Sequence, residues 1–290
     1  MNVNLVVNPI AGNRAYRSVN KLETILKERV SLTTLVTRNK GDAFEYAKNL
    51  KASDLIIVAS GDGTVNEVIN GLMNSGIAES QNIPVALIPL GTTNVLAKEL
   101  GIPEQLDRAV DLALTGHAKK ISLGRINGRF FTLMAGIGLD GEAVLGVKNN
   151  LIKKISGKGA HIVSGLKALA VYNPPVIKIK TPDNELSGYT AVISNAKCYG
   201  GFFQVTPEAS VTESVLDICV LRGPKRKDMI RFVTGVIRKN HLKYEDVSYS
   251  KATEIEVTSE GKVHIQIDGD YLGTLPAKID VLKDAVSLVW

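Results

Sequence analysis

"ASGDGTVNEVINGL" runs from Ala59 to Leu72 and follows a pure apolar run, "DLIIVAS". At this junction the hydrophobic pattern changes period. Leu55 to Ala59 is a continuous apolar strand, and Val65, Val68, Ile69, Leu72 and Met73 then fall at i, i+3, i+4, i+7 and i+8. That spacing is the stripe of an amphipathic helix. Between them stands Gly61-Asp62-Gly63-Thr64. The two glycines admit backbone angles closed to other residues and let a ligand approach the main chain. Thr64 with Glu67 reads as a capping box for a helix starting near Thr64. A helix N-terminus behind such a turn is an anion site suited to a nucleotide phosphate. An acid there repels phosphate, so the pattern predicts that Asp62 works through Mg²⁺ or metal-bound water.

The same alternation extends outward on both sides. "NVNLVVN", "LTTLVT" and "IPVALIPL" read as strands; "RSVNKLETILKER", "DAFEYAKNL" and "TNVLAKEL" read as helices. Continuous apolar strands between amphipathic helices predict a parallel sheet covered on both faces. Ligands of such sheets bind outside the carboxyl ends of the strands. Three loops fall at such ends: "NPIAGN", "SGDGT" and "PLGTTN". After about Leu123 the pattern changes to short alternating segments. "EIEVTSEGKVHIQIDGD" puts Ile255, Val257, Val263, Ile265 and Ile267 on one face and reads as an antiparallel hairpin turning at Glu260-Gly261. Helices are expected around "HIVSGLKALAVY" and "KRKDMIRFVTGVIRKN". The prediction is an α/β domain over residues 1–123 and a mainly antiparallel β-sandwich domain over 124–290.

Composition narrows the function classes. The chain has 290 residues, 44% hydrophobic and 22% charged, so it can bury a sizeable core. Its longest apolar runs fall far short of the ~20 residues of a membrane span. The N-terminus lacks a basic leader region, and a cytoplasmic protein is expected. The two cysteines, Cys198 and Cys219, lie among apolar residues and read as buried free thiols. A net charge of +6 favours anionic partners. Nucleic acid is not expected, because aromatics are only 5% and none interleaves with the basic clusters. Those clusters are Lys148, Lys153, Lys154 and Lys158, and Arg222, Lys225, Arg226, Lys227 and Arg231. Either one suits peripheral docking on an anionic membrane surface, and each also suits a plain solvated helix end. The four histidines have no metal-ligand spacing.

The set "NPIAGN", "SGDGTVNEVINGL", "IPLGTTNVLAKELGIP" and "IDGDYLG" resembles the diacylglycerol kinase catalytic-domain family, whose wider circle includes sphingosine and ceramide kinases. The order and spacing match over essentially the whole chain. The resemblance implies a two-domain, ATP-dependent lipid kinase of phospholipid metabolism, with the nucleotide in the cleft between the domains. It implies that Ser60, Gly61, Asp62, Gly63, Thr64 and Asn66 hold the ATP phosphates, with Asn8, Thr37, Gly91 and Thr92 as further nucleotide contacts. The general base of the family lies in an Asp-Gly-Glu segment that here reads Asp268-Gly269-Asp270. Either carboxylate would take the proton from the lipid hydroxyl, with Mg²⁺ beside it. From the residues alone, Asp268-Gly269 reads as a hairpin turn.

The chain departs from the family at several positions. Ser60 replaces a glycine, Val95 and Ser122 stand where diacylglycerol-specific members carry acids, and Asp270 shortens the usual Glu. A structural Mg²⁺ site of the family falls on Ser210, Glu213 and Val215. The acceptor is therefore expected to be diacylglycerol-like or sphingoid-like. An NAD kinase-like enzyme acting on a soluble substrate and a non-catalytic lipid- or nucleotide-binding protein are the competing readings. A homodimer is compatible with the sequence.

Overall fold

The computed structural model describes residues 1–10, 15–50, 53–75, 83–149, 175–200 and 203–290. The helix expected around "HIVSGLKALAVY" and the basic residues Lys148, Lys153, Lys154 and Lys158 lie outside the described residues or side chains. The chain divides into two compact units, Met1–Leu123 with Lys283–Trp290, and Gly124–Leu282.

The first unit follows the expected alternation: β1 (Asn2–Val7), α1 (Ala15–Lys27), β2 (Ser31–Val36), α2 (Asp42–Lys48), β3 (Leu55–Ser60), α3 (Asp62–Ser75), β4 (Val85–Pro89), α4 (Val95–Glu99), α5 (Leu106–Thr115) and β5 (Ala118–Ile126). The strands are parallel, in the order β2-β1-β3-β4. Leu55, Ile57 and Ala59 of β3 share one core with Val19, Leu22 and Leu26 of α1 and Ala109, Val110 and Ala113 of α5. Alternation sends Ile56 and Val58 to the opposite face, which α3 covers with Val65, Val68, Ile69 and Leu72. A sheet buried on both faces needs apolar residues at every position, which is why β3 has no period.

The chain leaves β1 for β2 on one side and then returns to β3 on the other. The strand order therefore reverses between β1 and β3, and ligands of such sheets bind at that switch point. The loops after β1, β2, β3 and β4 all leave from the same edge because the strands are parallel.

The second unit contains β6 (Arg129–Phe131), β7 (Met134–Ile137), α6 (Leu139–Asn149), β8 (Ile177–Lys180), β9 (Glu185–Gly188), β10 (Thr190–Ser194), β11 (Cys198–Tyr199), β12 (Phe203–Gln204), β13 (Leu216–Leu221), α7 (Arg226–Ile237), β14 (Val247–Ala252), β15 (Glu254–Ser259), β16 (His264–Ile267), β17 (Asp270–Thr274) and β18 (Ala277–Val289). One sheet runs β14-β13-β10-β7-β16-β17, and β15 pairs with β8 and β18 in another. Ile193, Ile218, Ile265 and Ile267 from the first meet Ile177, Ile179, Ile255, Val257 and Ile279 from the second in one core. This is an antiparallel sandwich.

Two expectations change here. β15 and β16 do not form a hairpin: β15 pairs with β8 and β18, whereas β16 pairs with β7 and β17. Both still point their apolar residues into the same core. Period-two alternation fixes the face a side chain takes and leaves the partner strand open. The last residues of β18 return to the first unit, where Leu288 and Val289 pair in parallel with Val85 and Ala86 of β4. The predicted second domain had included them. Of the two free thiols, Cys219 is buried and Cys198 is half-buried. Burial pushes the Cys219 thiol up to about 12, so it is inert near neutrality.

Candidate functional site

At the edge of the parallel sheet the second and third glycine loops touch. Leu90 and Gly91 both donate their N–H to the Ser60 carbonyl, at 3.1 and 3.2 Å. A Cβ placed on Gly91 would lie 2.5 Å from the Gly61 Cα and 2.7 Å from Asn94 Oδ1. Only glycine permits that approach. Asn94 takes the left-handed conformation, at φ 50°, and its amide donates to the Gly91 carbonyl at 2.9 Å.

Asp62 fastens the two loops together. Its Oδ2 accepts the Val95 N–H at 2.9 Å and its Oδ1 accepts the Leu96 N–H at 3.0 Å. The carboxylate of one loop thus caps the helix that opens from the other, and its charge meets two donors at the positive end of α4. This gives Asp62 a role without a metal. The sequence pattern, which pairs Asp62 with Mg²⁺, did not anticipate these two backbone donors.

The helix also begins earlier than predicted. Thr64 and Val65 both donate to the Gly61 carbonyl, at 3.1 and 3.3 Å, so α3 starts at Asp62. The capping box does not form. Thr64 Oγ1 accepts from Ser60 Oγ at 2.7 Å and from Asn8 Nδ2 at 3.5 Å, and Glu67 accepts the Gly41 N–H at 3.0 Å. Asn8, Ser60 and Thr64 are therefore joined across the β1/β3 switch point. Thr37 is buried beside them, bonded through Oγ1 to the Val7 carbonyl at 3.2 Å. Asn66 is buried inside α3 and accepts from Asn70, and Thr92 is exposed.

The loop retains the features of an anion cradle. The N–H groups of Asp62 and Gly63 meet no acceptor among the described residues. Nothing lies within 4 Å of a Cβ built on Gly63. Free N–H groups, open space and a helix N-terminus fit a phosphate. Asp62, whose oxygens accept two α4 N–H groups, stands at the start of the same helix.

The second unit places the Asp268-Gly269-Asp270 turn. Asp268 has φ 47° and Gly269 φ 87°, and Ile267 pairs with Asp270, so the turn is a two-residue hairpin connection with both central residues left-handed. Asp268 does more than turn the chain. Its carboxylate accepts the N–H groups of Thr132, Leu133 and Met134 at 2.7, 2.9 and 3.0 Å, and the Thr132 hydroxyl at 2.9 Å. Burial pushes its carboxyl above the ordinary range, against the pull of the backbone donors and the Thr132 hydroxyl. Asp270 points elsewhere. It is about two-fifths exposed and lies 3.7 Å from the Arg129 guanidinium.

Beneath the turn runs a polar chain that the sequence reading missed. Gly269 donates its N–H to Gln266 Oε1 at 2.8 Å, Gln266 Nε2 donates to Asp140, and the Tyr199 hydroxyl donates to the other Asp140 oxygen. Burial first, and the Asp140 charge next, push the Tyr199 hydroxyl well up, so it stays protonated as a donor. A Cβ on Gly136 would overlap Asp140 Oδ2 at 1.8 Å. The one available signal was "GIGLDGE", two acids and three glycines where β7 meets α6.

The predicted structural metal site does not fit. Glu213 Oε2 accepts from Lys251 Nζ at 3.0 Å, and the Ser210 carbonyl accepts the Glu213 N–H at 2.9 Å. A cation at Glu213, Ser210 and Val215 would meet an ammonium already in place. Among the described residues, no group of three His, Cys, Asp or Glu side chains could hold a metal ion.

Residues 2–126 match the family model described as a diacylglycerol kinase catalytic domain, and residues 134–290 match a YegS C-terminal NAD kinase beta sandwich-like domain. A Bacillus subtilis protein named diacylglycerol kinase is 32% identical over 284 residues, covering 94% of this chain and 91% of that one. The chain belongs to the diacylglycerol kinase family. A Staphylococcus epidermidis diacylglycerol kinase is 28% identical over 98% of this chain and 90% of its own length. A solved structure from Bacillus anthracis, described as a candidate diacylglycerol kinase, matches with TM-score 0.81 and 27% identity, covering 100% of this chain and 95% of that one. A kinase activity follows from the family. Among the described residues no helix is long and apolar enough to cross a membrane.

Two substitutions test the tethers. Asp62→Ala leaves the α4 donors without their cap and is expected to cost about 1–2 kcal/mol of stability in urea unfolding. Asp268→Asn turns an acceptor into a donor facing backbone N–H groups and is expected to cost about 2–3 kcal/mol. An unchanged midpoint in either variant would contradict the corresponding tether.

Proposed function

We propose that this chain is an ATP-dependent lipid kinase that phosphorylates a hydroxyl of a membrane lipid, diacylglycerol-like or sphingoid-like, with Asp270 as the general base. The observation that carries the assignment of the base is the contrast between the two turn carboxylates. Asp268 has its oxygens occupied by four donors. Asp270 is held by the turn, lies beside Arg129 and remains accessible. A general base must reach a substrate proton, and only Asp270 meets that condition.

The loops of the first unit hold the nucleotide. The free N–H groups of Asp62 and Gly63 and the N-terminus of α3 receive its phosphates, and Asn8, Ser60 and Thr64 support that loop. Mg²⁺ accompanies ATP as its phosphate complex and neutralises charge in phosphoryl transfer. In the reaction the lipid hydroxyl oxygen forms a bond to the γ-phosphorus. The bond from that phosphorus to the ADP oxygen breaks, ADP departs with the electron pair, and the hydroxyl proton passes to the Asp270 carboxylate. Arg129 orients that carboxylate.

Val95 and Ser122 favour keeping the acceptor class broad. Val95 donates its N–H to Asp62, and Ser122 is buried, so neither supplies a carboxylate. The test is incubation with labelled ATP, Mg²⁺ and a panel of diacylglycerols and sphingoid bases in mixed micelles. Label in an organic-extractable product is expected. Label in a soluble nucleotide, or nucleotide binding with no transfer to any lipid, would overturn the proposal.

A further inference from the structure

Helix α7 buries Met229, Phe232, Gly235 and Val236 and turns two isoleucines outward. Ile230 and Ile237 are 54% and 56% exposed. They stand seven residues apart and so lie two turns apart on one side of the helix. Exposed cations bracket them: Arg226 and Lys227 before, Arg238 and Lys239 after. None of these four has an ion-pair partner among the described residues. Arg231, on the flank, is by contrast paired with Asp246 and stacked on Tyr244. The only acid of the helix, Asp228, turns back to accept the Lys225 N–H at 3.1 Å. The outward face therefore carries Ile230 and Ile237 with Thr234 between them, its hydroxyl bonded back to the Arg231 carbonyl, and is cationic at both ends and free of acid.

We infer that this face of α7 docks on an anionic lipid bilayer, the isoleucines entering the headgroup boundary and the four cations meeting lipid phosphates. Unpaired cations select an anionic surface, and exposed aliphatic groups between them add apolar burial that free phosphate could not supply. Arg and Lys stems can lie along the boundary with their charges in the headgroup layer. The inference rests on the lipid-kinase reading only for its purpose, since vesicle binding needs no turnover.

The experiment is co-sedimentation of the full chain with phosphatidylcholine vesicles, with and without phosphatidylglycerol. Binding is expected only with the anionic lipid and is expected to weaken as salt rises. Arg226→Gln with Lys227→Gln is expected to lose roughly 30-fold in affinity, and Ile230→Ser with Ile237→Ser roughly tenfold. Both double variants change exposed positions and are expected to retain the wild-type circular dichroism and phosphoryl transfer to detergent-dispersed lipid. Absence of wild-type binding to anionic vesicles would overturn the inference, as would wild-type affinity in both variants. Loss of transfer in detergent by the wild-type protein would instead count against the kinase reading.

Discussion

The four hydrogen bonds accepted by Asp268 fix the turn of the second unit that precedes Asp270. They join the β16–β17 turn to Thr132, Leu133 and Met134 at the start of β7. Three of the donors are backbone N–H groups that would otherwise go unsatisfied in a partly buried place. The same contact holds the backbone of the next residues, so the direction of Asp270 follows from it. Below, Gln266 and Asp140 fasten Gly269 from the other side. A side chain next to a two-residue turn is held in place only when the turn itself is supported in this way.

The first unit repeats the device. Asp62, like Asp268, is a carboxylate in a glycine turn whose oxygens are committed to backbone N–H groups of another segment. It holds the β4–α4 loop against the β3–α3 loop at the strand-order switch. The acid that the sequence pattern places at an anion site is thus also a fastener between two loops.

Much of this was legible in the sequence. The unbroken apolar run of β3 and the Val65–Val68–Ile69–Leu72 stripe follow from burial on two faces and on one, and both patterns are local. The Asp268-Gly269 hairpin turn was legible for the same reason. What escaped reading depends on distant partners. Glu67 serves Gly41, Glu213 serves Lys251, and Asp140 is bonded by Gln266, which is 126 positions away. A side chain with two plausible partners shows its choice only when the fold brings one of them near. The β15–β16 misreading is of this kind, because a correct face assignment carries no information about which sheet a strand joins.

The central claim is a division of labour between two neighbouring carboxylates, and it is tested most directly by transfer of labelled phosphate from ATP to extractable lipid in Asp270→Asn, with ATP binding measured by calorimetry. The account predicts that turnover falls by about 10²–10⁴-fold, the usual contribution of a general base, while ATP affinity and folding stability stay near the wild-type values. Turnover within a few-fold of wild type in Asp270→Asn would contradict it.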